Sequence, residues 1–288
     1  MHICAFQQAM HPAALRRVRP AAQEDALALQ TQDECHVQQT PLGRWACTTG
    51  NTPGNFAWLS VADGVSSSPC ADLASRSFLQ VLHRANPTPP LQARQLPSLV
   101  RQARFDWLAQ HLTPRTRGAA CTLASLLYAD GQVCAVNSGD ARIWRLRAQA
   151  DGSVQWLQIS RDHTAWQQML DEGEVQPEDA SSYASVYQGL TQCLVLGDSM
   201  DDNSYGEDPD EDHPVPEPWL HIWQGNCRPG DCYLLATDGL HGTLPTAHLQ
   251  ALWHADRPAP DNLAALHAAW RKAGAADDIS VVALCLAA

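Results

Sequence analysis

Three apolar stretches of this chain each meet an acidic position where the backbone has to turn. Leu59–Val65 reads LSVADGV, Cys232–Leu240 reads CYLLATDGL, and Ile279–Leu286 is preceded by Asp277 and Asp278. A short apolar run bounded by a turn signal reads as a buried strand. Each run therefore delivers a carboxylate to the rigid end of a sheet. One Asp-Gly is only a turn. Three such acidic ends on core strands point to a site for hard divalent cations, which take oxygen ligands.

The 288 residues contain no internal linker that would divide them, so the chain reads as one domain, 1–288. A hydrophobic content of 45% supports a sizeable core. The formal net charge of -12 argues against nucleic acid and anionic membrane as partners and favours a basic one. No run approaches about 18 continuous apolar residues, and the N-terminus has no basic segment leading into an apolar run. A cytoplasmic, soluble monomer is the expectation. The 10 cysteines are scattered, several inside apolar strands, and read as reduced and packed.

Along the chain, strands are expected at His2–Gln8, Asp25–Gln30, Cys35–Thr49 and Phe56–Ala62. Ser68-Pro69 then reads as an N-cap and first helical residue. A second helix carries Val100, Ala103, Trp107, Leu108 and Leu112 at helical spacing. From Cys121 the pattern is strands again, Thr122–Tyr128, Val133–Asn137, Arg142–Arg147 and Val154–Ile159, with Asp130-Gly131 and Asp151-Gly152 as hairpin turns in an antiparallel meander. A short helix at Trp166–Leu170 stops at Gly173, and Leu190–Leu196 returns as a strand. Asp198–Pro218 holds nine acidic residues, four prolines and no Lys or Arg, and reads as an acidic insertion. Cys232–Leu240 is a strand, and helices around Ala247–Trp253 and Asp261–Arg271 precede the last one. The fold class is α+β, with two mostly antiparallel sheets between helical layers.

The ordered blocks RPAAQEDAL, VADGV, NSGDAR, SRDHT, DEGEVQPEDA, LLATDGL and ADDISVV resemble the signature series of the metal-dependent PP2C-type (PPM) protein serine/threonine phosphatases, bacterial stand-alone type. They stand in that family's order across nearly the whole chain. The resemblance implies a four-layer αββα sandwich with two Mn2+ or Mg2+ ions in the cleft between the sheets. It implies that Asp63 bridges the ions, that Gly64 offers its carbonyl to one, and that Asp238 and Asp277 complete the second. Asp25, with Glu24 beside it, would contact the water between them, and that water would attack phosphorus directly, without a phosphoenzyme. Implied partners are phosphoserine and phosphothreonine proteins and an opposing serine/threonine kinase. The alternative is a catalytically weak scaffold that binds a phosphoprotein or kinase.

Departures from the family pattern matter as well. Val65 follows Asp63-Gly64 where some members carry a histidine. The phosphate-binding arginine is expected where Pro20 stands, which leaves Arg19, then Arg17, as the candidate. Asp33 competes with Asp25 for the first acidic position. Asp140 reads as a structural carboxylate, His163 as a packing residue, and no acidic residue precedes Gly118 to serve a third ion. A cysteine phosphatase loop at Cys70–Arg76 has the bare spacing but no glycine, and it carries the anionic Asp72.

Overall fold

The computed structural model describes residues 1–10, 23–32, 34–38, 44–48, 55–84, 91–179, 187–197 and 218–287. Arg17, Arg19, Pro20, Asp33 and the acidic insertion up to residue 217 fall outside them.

Two six-stranded sheets form the centre. The first runs β10 (Val154–Gln158), β9 (Arg142–Ala148), β13 (Cys232–Ala236), β14 (Ile279–Cys285), β1 (His2–Gln8) and β4 (Arg44–Thr48). The second runs β12 (His221–Asn226), β8 (Gln132–Ser138), β7 (Leu123–Ala129), β5 (Phe56–Ala62), β2 (Ala26–Thr31) and β3 (Cys35–Val37). Every neighbouring pair is antiparallel. A small pair, β6 (Ala120–Cys121) with β11 (Leu194–Val195), forms a third sheet, and the short helix α3 (Ala165–Asp171) stands between β10 and β11 in the chain.

Side chains alternate along each strand and so feed three separate apolar layers. Leu27, Leu29, Leu59, Val61 and Leu126 of the second sheet face Ile3, Ile143, Tyr233, Leu235, Val282 and Leu284 of the first. The alternate residues of the second sheet, Trp58, Leu127 and Val136 among them, pack under α1 (Ala71–Arg84) and α2 (Leu96–His111) through Phe78, Leu82, Val100 and Trp107. Those of the first sheet, such as Phe6, Trp144, Leu234 and Val281, pack under α5 (Thr246–Leu252) and α6 (Ala259–Lys272) through Leu249, Leu263, Leu266 and Trp270. The result is the expected order of helix, sheet, sheet, helix. Each large side chain buried in these layers contributes roughly 1.5–3 kcal/mol.

Several local expectations are corrected. Cys35–Thr49 is not one strand: β3 and β4 lie on edges of different sheets. The four strands after Cys121 are not a meander. β7–β8 and β9–β10 are hairpins in opposite sheets, and the chain crosses between them at Gly139–Asp140. Gly139 has φ +87, and a Cβ there would lie 2.6 Å from Thr122 Cγ2, so only glycine allows that crossing. Ser68 does not cap α1, because its hydroxyl accepts from Ala120 N at 3.0 Å and the helix starts only after Cys70, at φ 53. Within Leu190–Leu196 only Leu194–Val195 is strand, and β12 is an edge strand not foreseen. Cys232 and Cys285, cross-strand partners on β13 and β14, form a disulfide, which corrects the expectation that all cysteines are reduced.

Candidate functional site

β5, β13 and β14 end at the same edge of the sandwich, and their acidic termini gather there. Asp63 follows β5. Asp238 opens a single helical turn, α4 (Asp238–His241), directly after β13, so the Asp-Gly here begins a helix, where a turn closing a longer strand had been expected. Asp277 precedes β14.

Two glycines permit the close approach. A Cβ on Gly64 would lie 2.3 Å from the Ala71 carbonyl oxygen, and one on Gly239 would lie 1.7 Å from that of Asp278. The loop after β5 is therefore pressed on the start of α1, and α4 on the turn that carries Asp277.

A set of hydrogen bonds fixes Asp25 against these elements. Thr237 donates from Oγ1 to Asp25 Oδ2 at 2.7 Å and accepts from Ser280 N at 3.0 Å, which joins the loop before β2 to both β13 and β14. Gln7 donates to the Asp25 carbonyl at 3.1 Å. The Glu24 carbonyl accepts from Gly64 N at 3.1 Å and from the Ser75 hydroxyl. Asp278, 4% exposed, accepts from Met10 N and Glu24 N, each at 2.7 Å, and so works as a backbone anchor beside Asp277. The Glu24 side chain accepts from Ser66 Oγ. Thr122 holds Asp63 from the other side, donating from its N–H to the Asp63 carbonyl at 2.7 Å and accepting at Oγ1 from Asp63 N at 3.2 Å.

The charges that act most on the carboxylates so placed are those of other carboxylates. Burial, then the charge of Asp278, pushes Asp25 up to about 8. Burial and the neighbouring Asp238 and Asp25 hold Asp63 well above the usual range. Burial, then Asp140 and Asp277, do the same to Asp238. Burial raises Asp277. Asp63 lies within hydrogen-bond reach of both Asp25 and Asp238 once one partner carries a proton. Such sharing is how like-charged carboxylates coexist when no cation is present.

Asp25 Oδ1 is buried with no hydrogen-bond donor among the described residues. Nor do three or more described His, Cys, Asp or Glu side chains converge around one ready-made point. The acids act on one another in pairs, Asp63 with Asp25, Asp238 and Asp277, and Asp238 with Asp140, Asp277 and Asp25. A group of hard oxygen donors with an orphaned buried oxygen and no paired cation fits divalent ions, whose charge is what the group lacks.

Of the residues foreseen, Asp25, Asp63, Gly64, Asp238 and Asp277 are brought together. Arg19 lies outside the described residues. Asp140, read from sequence as structural, belongs to the same charged group: burial, then Asp162, raises it to about 6, and it is the first charge acting on Asp238. Its signal was present in NSGDAR, another acidic turn at the end of an apolar strand. Arg142, beside it, is engaged by Asp162 through a bidentate pair, Nε donating to Oδ1 at 3.0 Å and Nη2 to Oδ2 at 2.5 Å.

No family model matches the chain. Over 186 residues, 63% of this chain, it is 31% identical to the serine/threonine protein phosphatase PstP of Mycobacterium tuberculosis. That region is 31% of PstP, so the chain spans about a third of the length of the curated relatives it matches. Among solved structures, a serine/threonine phosphatase from S. agalactiae superposes with TM-score 0.70 at 14% identity, covering 100% of both chains. The catalytic domain of PstP in complex with two manganese ions superposes with TM-score 0.64 at 21% identity, covering 99% of this chain and 100% of that one. The fold is that of the PP2C-type phosphatases. In the PP2C-type fold of this chain, the acidic group occupies one edge of the two-sheet sandwich, where β5, β13 and β14 end.

Proposed function

We propose that the chain is a metal-dependent protein serine/threonine phosphatase of the PP2C type, acting as one domain. The observation that carries this reading is the group of buried carboxylates that raise one another at the strand ends of a PP2C-type fold. Asp63, Asp238 and Asp277, with the Gly64 carbonyl, would hold two Mn2+ or Mg2+ ions, and Asp25 would face the water between them. Bound there, two such ions supply charge to offset a phosphate group and lower the pKa of the attacking water.

The chain's own residues do the positioning. Thr237 occupies Asp25 Oδ2 and leaves Oδ1 as the acceptor that can orient a water. Thr122 and Gly64 fix the Asp63 backbone, and Gly239 sets the approach of Asp238 to Asp277. Arg19 remains the proposed phosphate-binding cation. Attack on phosphorus would be direct, by that water, with no phosphoenzyme.

The substrates proposed are phosphoserine and phosphothreonine proteins, with a serine/threonine kinase as the opposing enzyme, for a monomer in the cytoplasm. Among the described residues no helix is long and apolar enough to cross a membrane.

The test is hydrolysis of an aryl phosphate and a phosphothreonine peptide with Mn2+, with Mg2+ and with EDTA. Turnover that depends on either metal and stops in EDTA is expected. Undiminished turnover in excess chelator would refute the reading.

A further inference from the structure

The crossing at Gly139–Asp140 is held from three directions. Thr122, which also clamps Asp63, packs against Gly139. From the loop after β10, His163 Nδ1 accepts from Gly139 N at 3.0 Å, and His163 N donates to the Gly139 carbonyl at 3.0 Å. From α4, His241 Nε2 lies 3.1 Å from the Asp140 carbonyl oxygen. That oxygen can only accept, so Nε2 carries the proton and donates it.

The last of these bonds spans the two sources of charge in the cleft. His241 stands three residues after Asp238 in one helical turn, so the two side chains share a face at fixed spacing. One end of that turn presents Asp238 and the other grips the peptide of Asp140. The ring is further fixed against Trp144, with centroids 6.0 Å apart and an interplanar angle of 73°. Burial holds the imidazole neutral, well below its ordinary range, so the bond does not depend on protonation. Asp140 is also the first charge acting on Asp238, so the two carboxylates that this turn joins lie near one another.

We propose that His241 is a positioning residue: by donating to the Asp140 carbonyl it sets the spacing of the Asp140 and Asp238 carboxylates, and through it the affinity of the cleft for divalent cations. The inference rests on the dimetal reading above. Groups that orient carboxylates around an ion typically change affinity about 10–100-fold when lost.

The experiment compares His241→Leu, which keeps bulk and removes the donor, with His241→Gln, whose carboxamide nitrogen can replace Nε2. Mn2+ binding is measured by titration calorimetry on the full chain, and metal-free thermal unfolding is recorded alongside. The expected result is Mn2+ affinity at least about tenfold weaker in the Leu variant and within about threefold of wild type in the Gln variant. The two variants are expected to share one metal-free unfolding midpoint. Wild-type affinity in the Leu variant, or equal losses in both, overturns the proposal while the dimetal reading stands. If the wild-type chain binds no Mn2+, both fall. If Leu prevents folding, His241→Met takes its place with the same expected and overturning results.

Discussion

Asp25 shows what burial costs an acid in this site. It is 1% exposed, is held by Thr237, and is acted on by the charge of Asp278. An acid whose folded pKa rises from 3.8 to about 8 binds its proton more tightly in the folded state. The sign of the pH effect follows. Its contribution to stability is fully present below about pH 4 and is lost as pH rises through about 8. The metal-free protein is therefore expected to lose thermal stability between those limits, and Asp25→Asn to reduce that loss. Thermal scans in EDTA across the range check it, and a slope unchanged in the variant contradicts it.

At the same scale, Asp63→Ala and Asp238→Ala are expected to abolish turnover while leaving the fold intact by circular dichroism. Asp25→Ala is expected to cost far more activity than Asp33→Ala, and Arg19→Ala mainly to raise KM. These acids were legible because each ends an apolar run. Asp278 and Thr237 were not, because what they do depends on partners more than 200 residues away in sequence, the Glu24 backbone N–H for one and the Asp25 carboxylate for the other.

Among the elements, the crossing between β8 and β9 is the most demanding. Gly139→Ala places a methyl group 2.6 Å from Thr122 Cγ2 at φ +87. A left-handed position alone costs an alanine about 1–2 kcal/mol, and the clash must push on the residue that clamps Asp63. We expect a loss of at least that size in urea unfolding, together with weaker Mn2+ binding. Gly131→Ala, also at positive φ but with nothing within 4 Å, should lose stability without losing metal. Equal metal affinity in the two variants would show that the crossing does not support the site.

Strands with continuous apolar sequence, such as β5, β7 and β14, could be read to within a residue or two. β12 could not, because HIWQGN alternates half-buried and exposed residues on a sheet edge and offers no apolar run. The supposed meander failed for a related reason. Hairpin turns reveal which strands pair locally, but not that the link between two hairpins changes sheets.

For the whole molecule, the layer order followed from composition and element order because helices and sheets each need one face covered. Where the strand ends meet depends on sheet order, which joins β1 to β14 and β5 to β7 and which local sequence does not encode. Metal binding at the meeting point should stabilise the fold as a whole. Mn2+ at about 100 times its Kd should add about 2.7 kcal/mol, raising Tm in the wild type and much less in Asp63→Ala. A like rise in the variant would place the binding elsewhere.

The acids come from five separate stretches: Glu24-Asp25, Asp63, Asp140, Asp238 and Asp277. Asp25 and Asp63 stand beside the second sheet, Asp238 and Asp277 at the ends of first-sheet strands, and Asp140 at the crossing. No fragment ending before β14 can assemble the group, and neither can a chain whose sheets have formed without docking. Affinity for the proposed ions would therefore report sheet-on-sheet docking, the most non-local event in folding this chain. Two cations bound as proposed would form a clasp across that seam, closing only after synthesis has passed Asp277 and resisting any force that would part the two halves.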